Sequence, residues 1–82
     1  MIVIRAQLDR RQTADGPCWQ SFAEIVLAPA DVGVWQFTGF CVDDRGDAWM
    51  QVHDAICKYA GSRRLAIGSS PERPNLREYQ IG

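Results

Sequence analysis

The stretch that decides the fold is GDAWMQVHDAICKYAG, residues 46–61. At the helical spacing of roughly 100° per residue, its large apolar side chains share one stripe, formed by Trp49, Val52, Ile56 and Tyr59. Asp47 suits the N-cap position, and Gly61 suits the residue just beyond the last turn. The stretch therefore predicts one amphipathic helix over residues 47–60.

A hairpin is the alternative for the same region. In that reading residues 34–53 form two strands that turn at 44–47, with Ala48, Met50 and Val52 on one face. The choice has a chemical consequence. A helix puts His53 and Cys57 one turn apart, whereas an extended chain separates them by about 13 Å.

Upstream of this stretch the pattern is that of strands. Apolar residues alternate with mostly polar ones from Ile2 to Leu8, which predicts a strand with one buried face. In residues 18–28, apolar side chains occur at both odd and even positions, which favours a strand covered on both faces. A short helix is the alternative, because Ser21 and Glu24 have the spacing of a capping box. Residues 34–42 are the most strongly β-forming run, and Gly39 within it indicates a bulge or a close approach by another element.

Downstream, residues 63–67 resemble a short strand, 68–75 a flexible polar connection, and 76–82 either an edge strand or a tail. The whole chain, 1–82, is expected to form one domain. The predicted class is α+β: a mainly antiparallel sheet of four to five strands in the order β-β-β-α-β, with an optional extra edge strand and one helix packed on a face.

The aromatic content predicts self-association. Of the 82 residues, 46% are apolar, and they include three Trp, three Phe and two Tyr. A chain of this length buries only about 60 to 65% of the surface that its unfolded form exposes. We therefore expect a homodimer or other homo-oligomer that associates through an apolar aromatic sheet face formed by Trp19, Trp35, Phe37 and Phe40. A protein partner or a small hydrophobic ligand is the other expected occupant of that face.

Charge argues against nucleic acid as the main partner. Ten acidic residues oppose nine basic ones, for a formal net charge of -1. A weak anion or nucleic-acid site remains as an alternative, formed by Arg63, Arg64, Arg73 and Arg77. Glu72 and Glu78 interleave with these arginines and reduce their field.

The cysteines and the first residues bear on the compartment. Cys18, Cys41 and Cys57 are odd in number and lack C-x-x-C spacing, so they fit a disulfide framework poorly. The N-terminal residues have neither the charged region of a signal peptide nor the apolar length of a membrane span. The sequence therefore predicts a cytoplasmic protein without membrane contact.

Two small clusters could carry chemistry. Cys57 and His53 could act as a thiol and its base in a small enzyme or thiol-dependent protein. That chemistry also needs a partner that orients the imidazole and a group that stabilises an oxyanion. The sequence identifies neither of them. Asp43, Asp44 and Asp47 could hold a divalent cation, although a turn with a helix N-cap explains them as well. We expect no metal or cofactor, and a binding module rather than an enzyme.

Overall fold

The computed structural model describes all 82 residues and contains five strands and one helix. In chain order they are β1 (Ile2–Thr13), β2 (Gly16–Leu27), β3 (Gln36–Thr38), α1 (Arg45–Ala60), β4 (Leu65–Ser70) and β5 (Arg73–Ile81). Every strand pair is antiparallel, and the order across the sheet is β3-β2-β1-β5-β4. The predicted α+β fold, with an antiparallel sheet and a single helix, is confirmed.

The alternation along β1 divides the sheet into two faces. Ile4 pairs with Ile25 of β2 and with Tyr79 of β5 on the face that α1 covers, which we call the helix face. Arg5 pairs with Glu24 and Glu78 on the other side, the open face. The core of 12 buried residues consists of Ile2, Ile4, Ala6, Leu8, Ala23, Tyr79 and Ile81 from the sheet, with Ala48, Trp49, Val52, Ile56 and Ala60 from the helix.

The helix replaces the hairpin alternative, but it begins earlier than predicted. Asp44, and not Asp47, is the N-cap: its backbone is extended, and its carboxylate accepts a hydrogen bond of 3.3 Å from the Gly46 amide. At the other end Gly61 has a φ of 61° and donates its amide to the Cys57 carbonyl, as expected for a glycine that ends a helix. α1 lacks the length and apolarity needed to cross a bilayer.

The β-forming run at 34–42 is shorter as a strand than predicted. Only Gln36–Thr38 pair regularly with β2, and Val42 then forms an isolated bridge with Trp19. Between them the chain bends toward the helix, where the Phe40 amide donates to Gln51 Oε1 at 2.9 Å. Gly39 makes the close approach that its presence indicated, because a Cβ there would overlap the Ser21 hydroxyl. Residues 18–28 are strand up to Leu27, so the short-helix alternative is wrong.

The last third of the chain is a hairpin. The predicted polar connection at 68–75 instead supplies the ends of β4 and β5, and only Pro71 and Glu72 lie between the two strands. The strand predicted at 76–82 exists, but it is not an edge. β5 lies between β1 and β4, and β4 takes the edge position. One of the two pairing partners of β5 is β1, which is more than 60 residues away in the sequence, so no local pattern reveals this pairing.

A disulfide contradicts the inference from the odd cysteine count. Cys18, at the start of β2, is bonded to Cys41, with a Cα to Cα distance of 5.5 Å. The bond lies next to the bridge between Trp19 and Val42, so the covalent link and the backbone hydrogen bonds hold the same two segments together. Cys57 is the one free cysteine.

Candidate functional site

Three side chains form a continuous polar chain between α1 and β5. Cys57 Sγ lies 3.5 Å from His53 Nε2, and His53 Nδ1 lies 3.1 Å from the Tyr79 hydroxyl. His53 and Cys57 are half-buried, and Tyr79 is fully buried. The helix therefore brings together the two residues that the sequence predicted to be neighbours, and β5 adds a third.

Tyr79 is a neutral phenol near physiological pH. Burial of its hydroxyl raises the pKa of Tyr79 above the ordinary 10.0, and the Arg77 guanidinium opposes that rise. A phenol can both donate and accept a hydrogen bond. Tyr79 can therefore accept from a protonated Nδ1 of His53, which leaves Nε2 free to face the thiol.

Tyr79 could not be predicted as a member of this site, because its role depends on strand order. Tyr79 and Ile81 are two residues apart on β5, so their side chains lie on the same face, and both are buried on the helix face. Placing β5 beside β1 puts Tyr79 next to Ile4 and beneath the helix. The alternation of Tyr79 and Ile81 was the available signal, but it could be used only if 76–82 were assigned to the middle of the sheet.

The aspartates of the candidate metal site do not form a cluster of ligands. Asp44 caps α1, and the three carboxylates at 43, 44 and 47 are exposed. No group of three or more His, Cys, Asp or Glu side chains is arranged to hold a metal ion. The capping geometry accounts for Asp44.

The candidate arginines lie at two separate places. Arg63 and Arg64 precede β4 at the end where the Gly82 amide donates to the Arg64 carbonyl. Arg73 begins β5, so the length of that strand, about 30 Å at roughly 3.3 Å per residue, separates it from them. Arg77 instead lies over the Trp49 ring, with its guanidinium carbon 4.0 Å from the ring centroid.

Most of the aromatic residues predicted as an interface pack on the helix side. Trp19, Trp35 and Phe37 are partly buried against the core, and only Phe40 is largely exposed, at 83%. The guanidinium carbons of Arg10 and Arg45 lie 5.2 and 5.7 Å from the Trp19 ring. Their use as an interface stays a prediction.

The two edges of the sheet differ. β3 is three residues long, and short edge strands are one way in which proteins avoid edge pairing. β4 is six residues long, Leu65–Ser70, and contains no charged residue and no proline. Four of its residues are exposed, including Ile67 at 50%. β4 therefore presents a free row of backbone donors and acceptors without the usual protection.

The open face contains a shallow groove of about 300 Å³ beside β1, β2 and β3. Arg5, Arg11, Asp9 and Glu24 contribute charges of both signs to its lining. The hydrophobic ligand that the sequence predicted stays a prediction.

Comparison with known proteins does not assign this site to a family. No protein-family model, no characterised protein and no solved structure matches the chain.

Proposed function

We propose that the protein is an interaction module that forms a homodimer through the edge of β4. The observation that carries this proposal is the contrast between the two edges: β3 is shortened to three residues, whereas the six residues of β4 carry neither charge nor proline. Unprotected edges of this kind pair with another strand. The partner must supply a strand whose edge is also unpaired, and β4 of a second copy is such a strand.

A two-fold axis perpendicular to the sheet would place two β4 strands antiparallel and extend the sheet across both copies. Both helices would then lie on the same side. Leu65 and Ile67 point to the helix face, since they pair with Ile81 and Tyr79 on β5. An axis near Ile67 would bring the half-exposed Ile67 side chains together and remove them from water.

The charges beside β4 are compatible with this arrangement. Arg63 and Arg64 precede the strand, and Glu72 follows it. Antiparallel pairing brings the start of one strand to the end of the other, so the arginines of each copy approach Glu72 of the other copy. Arg73 reduces the net attraction, and the backbone hydrogen bonds with the Ile67 contact supply most of the affinity. A single strand pair belongs among small interfaces, below about 1,200 Å², so we expect micromolar affinity.

Sedimentation of the wild-type protein and two charge variants tests the proposal. We expect a reversible dimer for the wild type, a monomer for Ile67→Lys, and a dimer for Met50→Lys. The Met50 control adds the same charge to a residue of α1 that is 61% exposed, and so it accounts for effects of net charge. A monomeric wild type across the micromolar range, or an Ile67→Lys variant that dimerises as well as the wild type, would rule out the β4 interface.

Cross-linking separates this surface from the predicted aromatic one. In a Cys57→Ser background, a cysteine at position 67 lies near the axis and should form an intermolecular disulfide on mild oxidation. A cysteine at position 40 replaces the exposed phenylalanine and is the matched control. Cross-linking at 40 and not at 67 would assign the interface to the aromatic residues instead.

The cytoplasm stays the expected compartment, and the disulfide makes that expectation measurable. Cytosolic thiol buffers keep most cysteine pairs reduced, so Cys18 and Cys41 would carry free thiols there. Alkylation at the moment of lysis followed by mass spectrometry counts them. Three alkylated cysteines support the cytoplasm, whereas one supports an oxidising compartment.

A further inference from the structure

We infer that Cys57 is a reactive thiol that forms mixed disulfides with small disulfide molecules, with His53 as its base and Tyr79 as the residue that positions His53. The inference is independent of the β4 interface. It depends on two contacts, 3.5 Å from Cys57 Sγ to His53 Nε2 and 3.1 Å from His53 Nδ1 to the Tyr79 hydroxyl.

The thiol and the imidazole are held by a rigid element. Both belong to α1, where residues four apart lie on the same side, so their contact needs no folding of a loop. Cys57 is partly exposed, which allows a small reagent to reach its sulfur. It is also the only cysteine available for exchange in the oxidised protein, because Cys18 and Cys41 are already joined.

Tyr79 supplies the orienting partner that a base needs. The two nitrogens of a neutral histidine have different roles, and the hydrogen bond at one determines which role the other takes. When the Tyr79 oxygen accepts from Nδ1–H, the lone pair of Nε2 faces the Cys57 thiol. Because Tyr79 is fully buried, its hydroxyl is held in place by the core.

The exchange balances with these groups alone. His53 Nε2 takes the proton of the Cys57 thiol, and the thiolate attacks one sulfur of the small disulfide. A new bond forms between the Cys57 sulfur and that sulfur, the original disulfide bond breaks, and the departing thiolate takes the proton from His53. The products are a mixed disulfide at Cys57 and one small thiol, and no additional oxidant is consumed.

The test measures the rate at which oxidised glutathione adds to Cys57, by intact mass at neutral pH without reductant. We expect His53→Gln and His53→Ala to lower this rate by at least about tenfold, since a positioned general base contributes at least that much. We expect a smaller loss for Tyr79→Phe, which keeps the ring and removes the hydroxyl that orients the imidazole. Cys57→Ser should form no adduct, and Met50→Ala, on the same helix, should react like the wild type.

The direction in which the reaction rate changes shows whether His53 acts as a base or only covers the Cys57 sulfur. If His53 only covered the sulfur, shortening it to alanine would expose Cys57 and raise the rate. An unchanged or faster rate in the two His53 variants, with wild-type circular dichroism, overturns the inference. Nitrogen NMR of the imidazole ring tests Tyr79 separately: the Tyr79→Phe variant should shift the tautomer balance of His53, and unchanged nitrogen shifts together with a wild-type rate would remove Tyr79 from the site.

Discussion

Gly39 packs directly against the Ser21 hydroxyl, and a Cβ at position 39 would overlap that oxygen and lie 2.8 Å from Gln51 Oε1. We expect Gly39→Ala to lower the free energy of unfolding by about 1 to 3 kcal/mol, the usual cost of overpacking. Urea denaturation measures the change. Gly46→Ala is the control, because its Cβ would have ordinary contacts and Ala favours a helix, so stability should stay equal or rise by up to about 1 kcal/mol.

Ser21 itself should tolerate the loss of its oxygen. Its Oγ is buried and has no hydrogen-bond partner. Replacing such a group with a methyl removes a desolvation penalty, so we expect Ser21→Ala to be as stable as the wild type or more stable by about 1 kcal/mol. It should also reduce the cost of Gly39→Ala in a double-mutant cycle. A Ser21→Ala variant that loses more than about 1 kcal/mol would mean that the hydroxyl makes a hydrogen bond in solution.

Reduction of the disulfide between Cys18 and Cys41 should destabilise the protein. The bond spans a sequence separation of 23, and closing a loop of that length stabilises a fold by about 3 kcal/mol. Urea titrations with and without a reductant measure the difference. The Cys57→Ser variant should show the same difference as the wild type, since Cys57 takes no part in the bond. Equal stability in both conditions would contradict this prediction.

Tyr79 should make the fold sensitive to alkali. Its pKa is raised in the folded state by burial, so above pH 10 the unfolded chain releases a proton that the folded protein retains. The contribution of Tyr79 to stability is therefore complete below pH 10 and is lost as the pH rises further, with a slope of at most about 1.4 kcal/mol per pH unit.

Urea denaturation between pH 8 and roughly pH 11 tests this window, which begins at the ordinary pKa. The free energy of unfolding should fall less steeply for Tyr79→Phe than for the wild type. Tyr59→Phe is the control, because Tyr59 is only half-buried and its removal takes away the same hydroxyl group. Parallel curves for the wild type and Tyr79→Phe would contradict the prediction.

Local patterns were sufficient for much of this fold. The period-two alternation from Ile2 to Leu8 marks β1, and the apolar stripe of Trp49, Val52 and Ile56 marks α1. These signals depend only on which side chains share a face within one element. Gly39 could be interpreted for the same reason, because a glycine in a β-forming run usually reports that another group comes close.

The rest depends on pairings that are distant in the sequence. The disulfide requires Cys18 and Cys41 to meet, and spacing alone does not reveal this. Because β5 lies between β1 and β4, Tyr79 contacts His53 and β4 becomes an edge strand. The N-cap is Asp44 and not the predicted Asp47. Several aspartates lie near the start of the helix, and the bend of the chain decides which of them caps it.

Because β1 lies in the middle of the sheet, the sheet cannot be completed early in the synthesis of the chain. Of the five strands, β1 is synthesised before the others, and one of its two neighbours, β5, is synthesised after the others. Until Arg73–Ile81 emerge, the nascent chain has β1 with one side unfilled and α1 without Tyr79 and Ile81 beneath it. The sheet is therefore completed only after β5 has emerged from the ribosome, and a product that stops before β5 would expose an unpaired edge of β1 to chaperones and proteases.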